Sequence, residues 1–362
     1  MKKIILGIVL ALVMSFSTGF VFASSPQEEP LEAIVTRVIE EKQVEVMQKK
    51  QLYQKLELTV MSGPQENKKI IIENGTMPLA NEQKYHLDDK VMVSTMKGMD
   101  GKVSYYISDY MRRDALIVLF AIFILVTLFI AKWRGLMSLL GMAISFLIIF
   151  SFILPQISSG ANPVEIAILG SLIIIPVSFF LSHGFNKKTL VAIVGTLIAL
   201  IITGLLSSFF VEAAKLTGFA SEEAGFLQVA KQGAINMKGL LLAGIIIGVL
   251  GVLDDITISQ SSIVFQLKET NNRLSMNELY KRAMDVGQDH ISSMVNTLIL
   301  VYTGAALPLL LLFINNPHPF SQIVNYEIIA DEIVRTLVGS VGLVLSVPIT
   351  TFVATLIASK KK

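Results

Sequence analysis

The sequence contains no cysteine, and only 16% of its 362 residues are charged. The absence of cysteine excludes disulfides, thiolate metal sites and cysteine nucleophiles. Soluble domains typically carry about 25% charged residues, whereas 53% of this sequence is hydrophobic. The formal net charge of +2 is too small to indicate a nucleic-acid partner. These values favour a membrane protein with several spans, for which the lipid bilayer is the principal surroundings.

Motifs for familiar enzyme and cofactor chemistry are also missing. The sequence has no H-E-x-x-H, G-x-S-x-G or Walker pattern. An intramembrane aspartyl protease needs two aspartates from different helices that share a proton. Asp255 and Asp289 satisfy that count, but GVLGVLDD and GQDH do not match the usual YD and GxGD pair. The protease therefore stays an alternative, and we expect a protein with neither enzyme activity nor cofactor.

The first residues combine a basic start, an apolar run and a small-residue exit. Lys2 and Lys3 precede the apolar core, and Val21-Phe22-Ala23 is typical of a cleavage site. This pattern predicts a secretory signal peptide over residues 1–23, with an uncleaved anchor as the alternative. In both cases the segment that follows is translocated.

Residues 24–113 differ from the rest of the chain in their charge and periodicity. Leu56, Leu58 and Val60 alternate with Glu57, Thr59 and Met61, which is typical of a half-buried strand. Turn signals separate such runs, at Gly63-Pro64, Asn74-Gly75 and Asp100-Gly101. We predict an extracytoplasmic all-β domain over residues 24–113, a small barrel or sandwich of about five strands.

Apolar runs dominate from Asp114 onward. At about 20 residues per span, they predict a polytopic all-α bundle of about seven transmembrane helices within residues 114–358. The predicted spans are residues 114–131, 136–155, 164–182, 189–211, 238–258, 291–314 and 333–357. Residues 359–362 form a basic tail.

The cations that flank the spans set the expected orientation. With residues 24–113 outside, the predicted outer loops 156–163 and 315–330 contain no lysine or arginine, whereas the predicted inner loops do. The exception is the connection 212–238, which carries three lysines against three glutamates. We predict a multi-pass protein of the cytoplasmic membrane, with its N-terminal domain outside and its C terminus inside.

Two adjacent aspartates interrupt the fifth predicted span in the sequence GVLGVLDDITISQSS. Gly244, Gly248, Gly251, Asp255 and Ser259 are spaced 4, 3, 4 and 4, so they share one helix face. Glycines allow membrane helices to approach closely, and we therefore predict that the three glycines pack against another helix. Asp255 continues this face and is the favoured site residue. Asp254 points about 100° away and marks the end of the apolar segment in the simplest interpretation.

The sixth predicted span has a second polar face. Asp285, Asp289, Ser292 and Asn296 are spaced 4, 3 and 4. Acids inside a membrane usually face a cavity or mark an ion or proton path. For Asp285 there is an alternative explanation, in which it belongs to a solvated cytoplasmic helix. The predicted pathway residues are Asp254, Asp255, Ser259, Asp289, Ser292 and Asn296, with no metal assigned.

Glu332 and Arg335 open the last predicted span and are placed to pair on one helix face. A polar cap at the outer surface explains them most simply.

Three segments resemble the YibE/F family of polytopic membrane proteins. They read GVLDDITISQSSIVFQL, GQDHISSMVNTLILVYTGAALPLLLL and EIVRTLVGSVGLVLSVPITT. The resemblance extends over most of residues 113–357, and the β-domain is also similar to members of that family. Because the family has no firmly established biochemical activity, the resemblance implies a membrane protein and only suggests transport.

Two hypotheses for the function follow. The leading one is a permease or exporter of an ion or small solute, in which an intramembrane carboxylate binds a cation or a proton. The alternative is a non-transporting envelope scaffold or assembly protein. Its β-domain would bind an extracytoplasmic protein partner, and its acids would be structural.

Overall fold

The computed structural model describes residues 30–47, 49–63, 65–77, 82–97, 103–314 and 318–360. The chain divides into two compact units, which separate between Val126 and Thr127. We call them the β-unit and the helical unit and describe each by itself. The predicted signal peptide over residues 1–23 and the predicted turn at Asp100-Gly101 lie outside the described residues.

The β-unit is built on one antiparallel sheet. Its strands are β1 (Leu31–Val46), β2 (Lys49–Val60), β3 (Lys69–Asn74), β4 (Lys90–Lys97) and β5 (Val103–Tyr110). They lie in the order β3-β2-β1-β4-β5. The prediction of a small all-β domain with about five strands is therefore confirmed, and the strands are antiparallel.

The sheet curls around a single apolar core. The long strand β1 pairs with both β2 and β4, and register shifts between Val35 and Arg37 let it bend. The alternating residues Leu56 and Leu58 are fully buried in this core. Lys68, just before β3, donates to the hydroxyl of Tyr105 on β5 at 3.1 Å, so the two ends of the strand order approach each other. The described strands thus form a partly open barrel.

The turn after β3 requires glycine. Gly75 has φ +86°, and a Cβ at this position would lie 2.1 Å from the carbonyl oxygen of Leu52. Both the left-handed backbone and the close approach exclude a side chain there. The turn signal Asn74-Gly75 in the sequence therefore has a steric cause.

Helices predominate in the rest of the described chain. They are α1 (Arg113–Ile148), a π-helical turn (Ile149–Ile153), α2 (Leu154–Ser158), α3 (Pro163–His183), α4 (Lys187–Ala213), α5 (Glu222–Ala230), α6 (Met237–Thr270), α7 (Met276–Ala305), α8 (Leu307–Ile314), α9 (Phe320–Ile323) and α10 (Glu327–Ser359). Among the described residues, 5 helices are long and apolar enough to cross a membrane. They are Arg113–Ser158, Pro163–His183, Lys187–Ala213, Met237–Thr270 and Glu327–Ser359. The count of seven spans stays a prediction.

The first of these helices contains both of the first two predicted spans. It is 46 residues long and is broken at Lys132, which has φ 51° and ψ −129°. A Cβ on Gly135 would lie 2.6 Å from the carbonyl oxygen of Thr127, although residues eight apart in a continuous helix are about 12 Å apart along its axis. The chain therefore bends sharply where the sequence predicted a loop.

The boundaries of the fifth and sixth predicted spans differ from those of the helices. Residues 238–258 lie within α6, which continues to Thr270 because its polar second half packs against other helices. Residues 291–314 are divided between α7 and α8. The division occurs next to Pro308, which has no N–H with which to continue the helix. With charged residues in its first half, α7 is not among the apolar candidates.

The helical unit is organised around α6, which contacts α3, α4, α7 and α10. Beside it, α4 and α10 pack antiparallel through two glycine–threonine contacts. A Cβ on Gly195 would lie 2.4 Å from Oγ1 of Thr350, and one on Gly342 would lie 2.0 Å from Oγ1 of Thr203. Small residues let the two backbones approach closely.

The three glycines that we predicted to pack against another helix do not lie at these close contacts. Gly244, Gly248 and Gly251 are exposed, and a Cβ at each would meet no atom within 4 Å. In the described chain, close packing therefore occurs at Gly195 and Gly342 and not on the predicted glycine face. Helical spacing identified a uniform face but gave no information on whether another helix covers it.

Candidate functional site

Asp254 lies at the contact between α6 and α3. Ser178 of α3 donates its hydroxyl to Oδ2 of Asp254 at 3.3 Å. The other carboxylate oxygen, Oδ1, is buried and has no hydrogen-bond partner among the described residues. Nor does Asp254 form an ion pair with any described cation. The carboxylate is thus half-buried, with one neutral hydroxyl as its partner.

The contact between α6 and α4 gives the depth of Asp254 within the bundle. Ser261 donates to the backbone carbonyl of Lys188 at 2.9 Å, which aligns Ser261 with the start of α4. Asp254 precedes Ser261 by about two helical turns, roughly 10 Å at about 1.5 Å per residue. Asp254 therefore lies inside the layer formed by the packed helices and does not mark the end of α6.

A set of buried hydroxyl and amide groups joins four helices. We call it the polar seam, and it consists of Thr196, Thr257, Gln260 and Thr351. The hydroxyls of Thr196 on α4 and Thr257 on α6 lie 2.7 Å apart. Gln260 donates from Nε2 to Oγ1 of Thr351 on α10 at 2.7 Å and to the carbonyl of Ala283 on α7 at 2.9 Å. Hydrogen bonds of this kind fix the relative positions of membrane helices.

Several buried polar atoms near this seam have no partner. They are Oδ1 of Asp254, Oε1 of Gln260 and Oγ1 of Thr350, judged over the described residues. Most buried polar groups in proteins are hydrogen-bonded, because leaving one unsatisfied costs about 1–3 kcal/mol. The unpaired oxygens can therefore accept hydrogen bonds from water or coordinate a cation.

A second buried acid lies near the start of α10. Asp331 is 7% exposed, and its Oδ2 lies 3.8 Å from Arg335. Arg335 also approaches Glu332 at 3.5 Å, so the pair expected from the sequence is present. Oδ1 of Asp331 and Nε of Arg335 are buried without partners among the described residues. The sequence pattern gave a signal for Asp331, which lies four residues before Arg335.

Glu327 shows how an acid in this region can have a structural role. Its Oε1 accepts from the hydroxyl of Thr217 at 2.7 Å and from the backbone N–H of Gly218 at 3.1 Å. These bonds attach the segment after α4 to the first turn of α10. Because the Glu327 carboxylate is satisfied by donors, it contrasts with Asp254 and Asp331.

The other predicted pathway residues lie on the outer faces of their helices. Asp255, Asp289, Ser292 and Asn296 are exposed, and Ser259 is half-buried. No hydrogen bond or ion pair between the predicted residues of α6 and those of α7 occurs in the described chain. The structure therefore does not bring them together as one cluster.

The packing of α7 explains this separation. α7 buries Leu279, Ala283 and Gly287, which lie on the side away from its polar residues. A Cβ on Gly287 would lie 2.6 Å from Val347 of α10, so this face is closely packed. The sequence identified two polar faces but not their distance from each other.

Comparison with known proteins relates both units to one family. A family model described as "YibE/F-like protein" matches residues 119–360. A second model, described as "YibE/F family N-terminal domain", matches residues 29–110. The comparisons found no match among curated proteins or solved structures. The two ranges contain the helical region and the sheet, and together with the apolar helices they indicate a membrane protein that belongs to the YibE/F family.

Proposed function

We propose that the helical unit is a permease or exporter of an ion or a small solute, with an intramembrane carboxylate that binds a cation or a proton. The observation that carries this proposal is Asp254, whose Oδ1 is buried and unpartnered among the described residues, between α6 and α3. We propose no chemical reaction and no cofactor. The transported species is the partner of the carboxylate.

The energetics of burial support an exchangeable partner. A buried carboxylate is costly unless it is paired, protonated or bound to a cation. Ser178 provides one neutral hydrogen bond at 3.3 Å, which does not compensate a full negative charge. A proton or a bound cation would supply the compensation, and its arrival and departure would couple Asp254 to transport.

The proposal also gives a role to the other predicted pathway residues. Asp255 and Ser259 lie on the outer face of α6, and Asp289, Ser292 and Asn296 lie on the outer face of α7. A polar face on a membrane helix requires water or other protein as its neighbour, because lipid provides no hydrogen bonds. We propose that these faces line the hydrated part of the path.

Reconstituted protein allows a direct test. Full-length protein in liposomes is exposed to proton, sodium and potassium gradients, and flux is followed with an internal pH dye and by the membrane current. We expect Asp254→Asn to reduce the flux at least about tenfold, because the neutral amide removes the charge that binds the cation. Glu327→Gln is the matched control, since it changes an acid whose hydrogen bonds are structural.

Two results would contradict the proposal. The first is wild-type protein that moves no ion under any gradient, even when a panel of metals and organic acids is added. The second is Asp254→Asn with unchanged flux, which would remove Asp254 from the path. Asp255→Asn and Asp289→Asn, tested in the same assay, decide whether the outer faces take part.

The scaffold hypothesis is supported by a separate observation. The β-unit has its own buried core, distinct from that of the helical unit. A secreted fragment of residues 24–113 is therefore expected to fold alone. If it restores the phenotype of a deletion strain, transport is not the function that the cell requires. Restoration only by the full chain favours the permease.

A further inference from the structure

A cationic pocket lies where α3 ends, α4 begins and the second half of α6 passes. Its volume is about 520 Å³, within the range of about 300–1,000 Å³ that small-ligand pockets occupy. The side chains that give it positive charge are Arg134, His183, Lys187 and Lys188, with the histidine contributing when it is protonated. Glu269 is the single carboxylate among the pocket residues. We call this site the anion pocket.

The arginine and lysines of the anion pocket are not held in ion pairs by the described residues. No ion pair of Arg134, Lys187 or Lys188 occurs in the described part of the chain. Cations elsewhere in the helical unit differ, since Arg282 pairs with Glu278 at 2.7 Å. Positive charge is therefore concentrated in the pocket and available to a bound anion.

The start of α4 adds a second source of positive potential. Asn186 caps this 27-residue helix by accepting from the backbone N–H of Thr189 at 3.0 Å. The first backbone N–H groups of a helix have no partners within it, and the helix dipole places a partial positive charge at this end. Phosphate groups bind such positions in many proteins.

The hydroxyl of Thr189 provides the independent observation that points to a ligand. Thr189 is a pocket residue and is 0% exposed. Its Oγ1 is buried and has no hydrogen-bond partner among the described residues. A buried hydroxyl without a partner is uncommon. An anion in the pocket would accept this hydrogen bond.

We propose that the anion pocket binds a phosphate group, carried either by an anionic phospholipid or by a soluble phosphate compound. Lys187 and Lys188 supply charge, the first turn of α4 supplies N–H donors, and Thr189 supplies the buried hydroxyl. The sequence predicts that this end of the bundle faces the cytoplasm, where basic pockets between helices bind lipid head groups. This proposal is independent of whether Asp254 transports an ion.

The test uses the purified full-length protein. Binding is measured by native mass spectrometry and by the shift in the thermal unfolding midpoint. The probes are phosphatidylglycerol, phosphatidylcholine as the lipid control, and inorganic phosphate. We expect the double variant Lys187→Gln/Lys188→Gln to bind phosphatidylglycerol about tenfold more weakly. Lys281→Gln, which changes a lysine of α7 outside the pocket, is expected to bind like wild type.

Thr189 separates a built pocket from general attraction to basic residues. Thr189→Val removes the hydroxyl at nearly constant shape and is expected to weaken binding about fivefold, whereas Thr189→Ser retains it. If Thr189→Val does not fold, the lysine double variant still tests the pocket, because Lys187 is exposed and Lys188 is not fully buried.

Each outcome has a definite meaning. Preference for phosphatidylglycerol without any effect of inorganic phosphate supports a lipid head group as the ligand. Stabilisation by inorganic phosphate that the double variant loses supports a soluble phosphate compound. Equal binding of both lipids with no effect of phosphate overturns the proposal. Binding of phosphatidylglycerol and of inorganic phosphate that is equal in wild type and the double variant also overturns it.

Discussion

The β-unit and the helical unit arrange polar and apolar residues in opposite ways. In the β-unit, Leu56 and Leu58 are buried, while charged pairs such as Lys69–Glu57 at 2.8 Å lie at the surface. In the helical unit, the interior holds the polar seam and Asp331, and large apolar side chains are exposed. The difference follows from the surroundings, since water accepts charge whereas lipid accepts apolar side chains.

Because of this contrast, the buried face of a strand is easier to predict from the sequence than the buried face of a membrane helix. In water, one face of a strand is buried and the other solvated, so alternation identifies the core. In lipid, both the buried and the exposed sides of a helix are apolar, so hydropathy locates the helix without indicating its packed face. If this difference holds, substitutions in the two units should have different consequences for stability.

Leu58→Ala tests the core of the β-unit. Leu58 is fully buried, and deleting a large core side chain typically costs about 2–5 kcal/mol. We expect a loss of that size in the free energy of unfolding of a secreted 24–113 fragment, measured in urea. The helical unit of the full chain should keep its own unfolding midpoint. A coupled loss in both units would contradict their independence.

Gly342→Val tests the contact between α4 and α10. A Cβ there would lie 2.0 Å from Oγ1 of Thr203, and overpacking of this kind typically costs about 1–3 kcal/mol. We expect a lower thermal unfolding midpoint and a lower yield of monodisperse protein. Gly251→Ala is the matched control, because a Cβ there meets no atom within 4 Å. Equal damage by both changes would show that the glycine face also packs.

Asp254→Leu tests whether the buried acid is retained at a cost in stability. An unsatisfied buried oxygen such as Oδ1 of Asp254 costs about 1–3 kcal/mol, and an apolar side chain at this position removes that cost. We expect a raised unfolding midpoint together with lost ion flux. Asp255→Leu, at an exposed position, should leave the midpoint nearly unchanged. A lowered midpoint for Asp254→Leu would favour a purely structural role.

Tyr85 gives the smallest expected effect, which depends on pH. Burial raises the pKa of Tyr85 to about 12, above its usual value of about 10 in unfolded chains. Folding therefore favours the neutral phenol. The contribution of Tyr85 to the free energy of unfolding is complete below about pH 10 and is lost as the pH rises toward 12.

The measurement is the pH dependence of the unfolding free energy of the 24–113 fragment between about pH 8 and 12. We expect Tyr85→Phe to flatten the alkaline part of this curve, because the phenylalanine has no proton to lose. The substitution also removes the hydrogen bond from the Tyr85 hydroxyl to Gln83, 2.9 Å long, which should lower stability by a constant amount. A wild-type curve that stays flat above about pH 10 would contradict the prediction.

Helical periodicity could not predict which of Asp254 and Asp255 faces another helix. Asp255 lies on the face that contains Gly244, Gly248 and Gly251, and this regularity favoured it. Asp254 lies on an equally regular face with Leu250, Thr257 and Ser261, spaced 4, 3 and 4. Both patterns have the period of a helix. The choice between them required knowledge of where α3 and α4 pack.

Nor could the sequence predict which prolines end a helix. Pro308 was visible in the sequence, yet proline is tolerated in membrane helices when neighbours satisfy the freed carbonyl. In this chain α7 ends and α8 begins beside it, whereas Pro176 and Pro348 lie inside continuous helices. The same residue type thus has different effects, because the surrounding helices differ.

The class of this protein, a small β-domain joined to apolar helices, can be predicted from its sequence. Local patterns were sufficient for this, because strand alternation, turn glycines and long apolar runs depend on near neighbours and on the solvent. They predicted the all-β domain and the apolar helices, whereas the family was predicted from the resemblance of three segments. Which polar groups lie inside the bundle depends on tertiary contacts. Contacts between residues far apart in the sequence, such as Ser178 with Asp254 and Gln260 with Thr351, fix the interior of the helical unit, and helical periodicity contains no information about them.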